Sequence, residues 1–229
     1  MTSLQKWGKS VRTTIPVMAG YLVLGVGFGI LLRTRGYGLG WALAMSAFIY
    51  AGSMQYVAID LLTGGASLLT TAVTTLLVNA RHLFYGISML ERYRAAGKYA
   101  PYLIFSLTDE TYSLVAARED LTGAECFRIS LLDQLYWVLG TALGSLAGAY
   151  LDFNTTGIDF SLTALFLTVF TEQWLETKDH APALIGLGIS IVCRLLFGAD
   201  SFLLPTMGGM LCCLLVLDAR RTKKGGESV

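Results

Sequence analysis

Long apolar runs separated by short polar stretches make up most of this chain. A helix needs about 20 apolar residues to span the hydrocarbon core of a bilayer, and several runs approach that length. The runs cover residues 15–32, 39–62, 66–90, 101–117, 129–151, 158–175, 181–197 and 202–217. We therefore predict an all-α integral membrane protein with about seven or eight transmembrane helices. The last two runs are short and Glu172 lies near the end of the run before them, so some helices are predicted to be discontinuous or re-entrant.

Basic residues flank both ends of the apolar part of the chain. The N-terminal residues are Lys6, Lys9 and Arg12, and the C-terminal residues are Arg220, Arg221, Lys223 and Lys224. The positive-inside rule then predicts cytoplasmic termini and an even number of crossings. In an eight-span arrangement, however, the loop with Arg92, Arg94 and Lys98 would lie outside, where basic residues are under-represented. Either the segment at residues 79–85 is re-entrant, or the rule fails locally.

No linker rich in proline or serine divides the chain, so we predict a single transmembrane domain over residues 1–229. The segment at residues 47–55 resembles the segment at 164–173, and residues 81–86 resemble 194–198 in the same order. This similarity favours an internal repeat with halves at about 14–117 and 129–217, as many transporters have. Shared composition of apolar helices is the alternative explanation.

Polar residues gather at three places inside the apolar runs. The clusters contain Ser53 and Gln55, then Asn79, Arg81 and His82, and then Asp109 and Glu110. A charged side chain near the bilayer centre costs about 3 kcal/mol, so it persists mainly beside a partner, a substrate or a water-filled cavity. We therefore predict that these residues line a substrate or ion path.

The second cluster interrupts its apolar run and predicts a discontinuous helix. Freed amides at the start of a half-helix can bind a carboxylate, Arg81 can add a bidentate contact, and unwound carbonyls suit an ammonium group. His82 is a candidate for titration near neutral pH. The alternative is that Arg81 and His82 mark a membrane interface, with Phe84 and Tyr85 in an aromatic belt. That alternative would also remove the conflict over the basic loop.

Asp109 and Glu110 share one helical face with Ser106 and Ser113. Two adjacent carboxylates repel each other when both are ionised, so one is expected to hold a proton at neutral pH. A proton-coupled carrier uses that property. The alternatives are a position in the headgroup region or a structural ion pair with Arg81.

Glycines in the fifth run are spaced by four, at Gly140, Gly144 and Gly148, which places them on one helical face. Such a face allows two helices to approach closely in lipid. We predict a helix contact there, and we also consider glycine faces as docking surfaces for a partner subunit.

Composition and motifs argue against several functional classes. Charged residues make up 14% of the chain, whereas a soluble domain has about 25%. The net charge of +1 gives no argument for nucleic-acid binding. The sequence has no zinc-protease, hydrolase-elbow or Walker motif, so we predict no enzyme, no cofactor and no metal site. Cys126, Cys193, Cys212 and Cys213 lack metal or redox spacing.

The three polar segments, at residues 51–55, 79–86 and 107–110, resemble the AzlC/YgaZ/BrnF family. Its members are the large subunits of bacterial branched-chain amino acid exporters. The resemblance extends from about residue 15 to 217. It implies export of leucine, isoleucine and valine, and also methionine, across the bacterial cell (inner) membrane, driven by the membrane potential or a proton gradient. It further implies a small hydrophobic partner subunit of the AzlD/YgaH/BrnE type.

A zwitterion with an aliphatic side chain needs a carboxylate partner, an ammonium partner and an apolar pocket. We assign the half-helix amides and Arg81 to the carboxylate, and Asp109 or Glu110 to the ammonium group or the coupled proton. Candidate pocket walls are Phe48, Tyr50, Phe84 and Tyr112. The alternatives are a carrier for another small solute, or a membrane scaffold or regulatory subunit without its own transport path.

Overall fold

The computed structural model describes residues 2–116, 118 and 120–150, and in the C-terminal part residues 160, 163–164, 167, 170–171, 174–175, 179–202, 205–206, 208–210 and 212–217. Throughout these residues the regular structure is helical, which confirms the predicted all-α class. Much of the run at 158–175, including Glu172, and the basic tail from residue 218 lie outside the described residues.

Contacts divide the chain into two compact units, Met1–Thr163 and Ala164–Val229. The single domain and the repeat halves at 14–117 and 129–217 stay predictions. In the second unit a helix spans Ala181–Ser201 and is kinked at Gly198, where φ is 74°. Residues 208–210 and 212–217 are also helical. Among the described residues, Leu4–Thr34 and Ala181–Gly198 are long and apolar enough to cross a membrane by length and composition.

The first unit contains the polar clusters. Its helices are α1 (Ser3–Thr34), α2 (Leu39–Ala44), α3 (Gly52–Thr63), α4 (Leu68–Val78), α5 (Arg81–Ala95), α6 (Ala100–Phe105), α7 (Asp109–Ala116) and α8 (Gly123–Tyr150). A π-helix, Met45–Ile49, continues α2, and a 3₁₀ turn, Gly97–Tyr99, precedes α6.

Parallel packing of α1 against α8 forms the centre of this unit. A Cβ atom on Gly140 would lie 2.9 Å from the carbonyl oxygen of Leu22, and one on Gly144 would overlap the carbonyl of Val26. The predicted close helix approach is therefore confirmed. The same contact excludes this glycine face as a docking surface for another subunit, because α1 of the same chain covers it.

The run at 39–62 forms a helical hairpin that enters the unit from the C-terminal end of α1. The descending arm, α2 with the π-helix, ends at Tyr50, whose φ of 43° is left-handed. The ascending arm, α3, starts beside Trp137 at Gly52. By Tyr56 it has reached the level of Leu24, whose carbonyl accepts a 2.7 Å bond from the tyrosine hydroxyl. Because α3 runs back toward the C-terminal end of α1, the chain reverses near Tyr50 and this run does not cross the unit.

The run at 101–117 forms a second hairpin, which enters from the opposite end. Before α6, the ring of Tyr99 packs 5.0 Å from that of Phe127 near the start of α8. The turn at residues 106–108 lies beside the middle of α1. After α7, Arg118 donates a 2.9 Å bond to Thr13, close to the start of α1. The two hairpin turns therefore approach each other from opposite ends of the unit.

Between the hairpins, α4 and α5 form one broken crossing that returns the chain to the N-terminal end of α1. Near the end of α5, Arg92 donates to the backbone carbonyls of Val115, at 2.6 Å, and Arg118. The loop with Arg92, Arg94 and Lys98 thus lies at the same end as Lys9, which is 4.0 Å from Glu125 at the start of α8. Eight full spans would place this loop at the opposite end from the start of α1, which is wrong, because two of the apolar runs turn back instead of crossing.

Candidate functional site

Arg81 joins the two hairpins at mid-height in the first unit. Its Nη2 atom donates to Ser53 Oγ at 2.9 Å and lies 2.8 Å from Asp109 Oδ2. Ser53 begins the ascending arm of the first hairpin, and Asp109 begins the returning arm of the second. The structure thus brings one residue from each predicted polar cluster into direct contact.

The starts of α3, α5 and α7 converge at this contact. Neither α3 nor α5 has a side chain that caps its first amides, but at α5 the amides of His82 and Leu83 donate to the backbone carbonyls of Asn79 and Ala80. At α7, Thr108 Oγ1 accepts a bond from the Thr111 amide at 3.3 Å. Helix starts carry a partial positive charge, and their free amides need partners when they are away from water. The site therefore places a guanidinium group and one carboxylate where three helix starts meet.

Several buried polar atoms at this site have no hydrogen-bond partner within the described part of the chain. They are Nε of Arg81, Oδ1 of Asp109 and Oδ1 of Asn79. The side chains of Arg81 and Asp109 remain 31% and 29% exposed. The ion pair thus keeps one unused donor and one unused acceptor, although an unpaired polar atom in an apolar site is costly.

An apolar groove of about 400 Å³ starts beside the ion pair and runs between α5 and α6. His82 and Leu107 lie at its inner end, and Arg94 lies at its outer end near the basic loop. Leucine and isoleucine side chains form most of the wall between them. His82 is held by a 3.1 Å contact between its Nδ1 and the carbonyl of Asn79.

Gln55 lies away from the ion pair, fully buried against α8. Its Oε1 accepts a 2.9 Å bond from the Trp137 indole, and its Nε2 donates to Ser46 Oγ at 3.3 Å. Ser46 in turn donates to Thr141 at 3.0 Å. These bonds attach both arms of the first hairpin to α8. Whether Gln55 also lines the path stays a prediction.

Glu110 points away from Arg81 toward α1. Its Oε2 accepts a 2.7 Å bond from the Tyr21 hydroxyl, which also lies 2.7 Å from Thr108 Oγ1. Beyond Thr108, Thr111 donates a 2.9 Å bond to Asp133, a fully buried acid on α8. Our sequence reasoning missed Tyr21 and Asp133. Asp133 could have been found in the sequence, because it is an acid within the apolar run at 129–151.

The four predicted wall aromatics lie in different surroundings. Tyr50 is buried at the first hairpin turn, and its hydroxyl has no hydrogen-bond partner among the described residues. Tyr112 stacks on Tyr85 with the ring centres 4.4 Å apart. Phe48 and Phe84 are 80% and 60% exposed on the first unit. The assignment of all four as pocket walls stays a prediction.

Comparisons with known proteins identify relatives along most of the chain. The branched-chain amino acid transport protein AzlC of Bacillus subtilis (strain 168) is 46% identical over 209 residues, which are 89% of this chain and 82% of that protein. An uncharacterized membrane protein of Helicobacter pylori (strain ATCC 700392 / 26695) is 43% identical, over 89% of this chain and 91% of its own. The inner membrane protein YgaZ of Escherichia coli (strain K12) is 26% identical, over 90% and 87%. No solved structure matches.

The family profile described as AzlC protein matches residues 16–151, which contain the ion pair, both hairpins and all of α8. Together with the membrane-protein relatives, this match confirms the resemblance seen in the polar segments. It also confirms the predicted integral membrane protein, in which discontinuous and re-entrant helices surround a charged centre. The chain belongs to the AzlC protein family.

Proposed function

We propose that this protein is a subunit of a secondary transporter that exports branched-chain amino acids across the bacterial cytoplasmic membrane. The name of the Bacillus subtilis relative supports transport of this substrate class, and favours a transport protein over an enzyme. The name of the Escherichia coli relative supports an inner-membrane location for this multi-pass chain. Leucine, isoleucine, valine and methionine are the proposed substrates, coupling is to protons, and a small AzlD/YgaH/BrnE-type subunit is the proposed partner.

The observation that carries this proposal is the pair of unused polar atoms at the centre of the first unit. Within the part of the chain that the structure describes, the Nε–H donor of Arg81 and the Oδ1 acceptor of Asp109 have no hydrogen-bond partner. An amino acid offers the opposite pair, a carboxylate that accepts and an ammonium group that donates. The substrate carboxylate would bind Arg81 and the amides at the start of α3, and its ammonium group would bind Asp109.

The apolar groove supports an aliphatic side chain on the substrate. It begins at His82 and Leu107, immediately beside Arg81, and it ends near Arg94 in the basic loop. Under the positive-inside rule this loop and the N-terminus mark the cytoplasmic side. A branched aliphatic side chain could therefore follow the groove from the cytoplasm to the ion pair, which is the direction that export requires. A lysine side chain would bring a charge onto an apolar wall.

The experiment that tests this function is efflux of preloaded labelled leucine from cells that produce this chain with or without its genetic neighbour. Methionine and lysine serve as comparison substrates. Efflux of leucine and methionine, but not lysine, only when both chains are present would support an exporter with an obligate small subunit. Efflux with this chain alone would contradict the obligate partner, and absence of efflux in both cases would favour another solute or a scaffold.

Asp109→Asn tests the role of the ion pair within this function. The variant keeps the shape of the side chain but removes the charge that would bind the ammonium group. Unchanged efflux at every pH would exclude Asp109 from both substrate binding and coupling. A double variant that exchanges the charges of Arg81 and Asp109 would recover efflux if the pair is only structural.

A further inference from the structure

Behind the ion pair, a continuous chain of side-chain hydroxyls connects the partly buried carboxyl group of Glu110 with the fully buried one of Asp133. From Glu110 Oε2 the contacts run to the Tyr21 hydroxyl at 2.7 Å, then to Thr108 Oγ1 at 2.7 Å, then to Thr111 Oγ1 at 3.1 Å, and finally to Asp133 Oδ2 at 2.9 Å. Tyr21, Thr108, Thr111 and Asp133 are all more than nine-tenths buried. Each contact has hydrogen-bond length, so the path is unbroken.

The number of available hydrogens does not match the number of contacts. The path has four oxygen-to-oxygen contacts, but its three hydroxyl groups supply only three hydrogens. If both carboxyl groups are ionised, one contact brings two oxygens together with no hydrogen between them. One additional proton, on either carboxyl group, completes all four bonds.

We propose that Glu110 and Asp133 share one proton through this hydroxyl chain, and that this proton is the coupling proton of the transporter. The coupling role rests on the proposed transport function. When the proton is on Glu110, every hydroxyl donates toward Asp133, and when it is on Asp133, every hydroxyl donates toward Glu110. Transfer moves one hydrogen across each contact, so the carboxyl groups exchange protonation while all three hydroxyl groups stay neutral.

The surroundings of the two acids differ, which gives the transfer a function. Glu110 interacts with Asp109 and Arg81, as well as with Tyr21 and Tyr50, so its protonation responds to a substrate at the ion pair. Asp133 interacts with Glu110 and Thr111 from α7, Tyr102 from α6 and Tyr50 at the first hairpin turn. Its Oδ1 has no hydrogen-bond partner within the described residues. Binding of an ammonium group at Asp109 would thus favour ionised Glu110 and send the shared proton toward Asp133. Release of the ammonium group would let the proton return to Glu110.

The test uses the whole chain, produced with its small partner and reconstituted in vesicles. Leucine exchange at equal pH on both sides measures substrate binding and translocation, and leucine transport driven by a pH gradient measures coupling. Tyr21→Phe and Thr111→Val each remove one hydroxyl from the path. We expect both variants to keep exchange and to lose about tenfold or more of the gradient-driven transport. Tyr56→Phe is the matched control, because its buried hydroxyl bonds to the Leu24 carbonyl outside the path.

Full gradient-driven transport in both hydroxyl variants would overturn the proposal. Equal loss of exchange and coupling in a variant that remains monodisperse would also overturn it, because the residue would then serve the substrate site. Thr111→Ser keeps a hydroxyl and should restore coupling. If the unmodified protein shows no leucine exchange, the proposed function fails. Whether the two acids share a proton is then tested separately by spectroscopy.

Infrared difference spectroscopy of the purified chain, titrated with acid, needs no substrate. We expect the unmodified protein to show the carbonyl band of a protonated carboxyl group with the intensity of one group, and Tyr21→Phe to shift it. Asp133→Asn and Glu110→Gln should each alter this band, whereas Asp60→Asn, at an exposed acid on α3, should leave it unchanged. Absence of the band, or a band altered by only one of the two acid variants, would overturn the sharing of one proton.

Discussion

Arg81 and Asp109 form an ion pair across the gap between two discontinuous segments, with Nη2 and Oδ2 2.8 Å apart. The arginine begins the second half of a broken crossing, and the aspartate begins the returning arm of a hairpin. Because the pair joins elements that enter from different ends, a change in either partner affects both the site and the way in which the elements meet.

We predict that Arg81→Lys weakens leucine transport by about tenfold, with a larger effect on KM than on kcat. Lysine keeps the charge but cannot contact Ser53 and Asp109 while also presenting a separate planar donor to a carboxylate. The measurement is initial leucine efflux at a series of internal concentrations. Arg92→Lys is the matched control, since Arg92 contacts backbone carbonyls at the end of α5. Equal effects of both variants would indicate that the loss is structural.

Much of this site could be predicted from the sequence, because charged residues in apolar runs are rare and costly. Arg81, Asp109 and Ser53 were identified this way, and the structure places them in contact. What the sequence could not show is where a run turns back. A hairpin arm and half of a crossing have the same composition, and the reversal depends on local backbone conformation at Tyr50 and at residues 106–108.

The same limitation explains Asp133. A single acid in a long apolar helix indicates a buried partner, but its partner, Thr111, comes from a hairpin arm whose direction the sequence does not specify. Position along the chain therefore gave no reason to connect Asp133 with Glu110.

The hairpin topology predicts which loops face which side of the membrane. In a variant without the four native cysteines, Lys98→Cys should react with an impermeant thiol reagent only after the cells are permeabilised. Thr63→Cys, in an exposed position at the end of α3, should react in intact cells. The arrangement with eight full spans predicts the reverse at both positions, so a reversed labelling pattern would exclude the hairpins.

The α1–α8 contact predicts a strong dependence on glycine at residue 144. Gly144→Ala would place a methyl group against the carbonyl of Val26, so the helices must move apart, at a cost of about 1–3 kcal/mol. We expect a lower midpoint of thermal unfolding in detergent and less monodisperse protein. Gly20→Ala, in α1 where a Cβ would have no atom within 4 Å, is the control and should match the unmodified protein. Equal midpoints for both variants would contradict close packing at this position.

The attachment of the first hairpin to α8 gives a last prediction. Gln55→Leu removes the acceptor of the Trp137 indole, which leaves that buried N–H without a partner. It also removes the donor to Ser46, which keeps its own bond to Thr141. A buried donor without a partner costs about 1–3 kcal/mol. Since Gln55 is fully buried and has no contact with Arg81 among the described bonds, we expect lower stability with an unchanged KM for leucine. Thermal unfolding and leucine efflux are measured on the same preparation. A raised KM with unchanged stability would instead place Gln55 in the substrate path, as the sequence alone suggested.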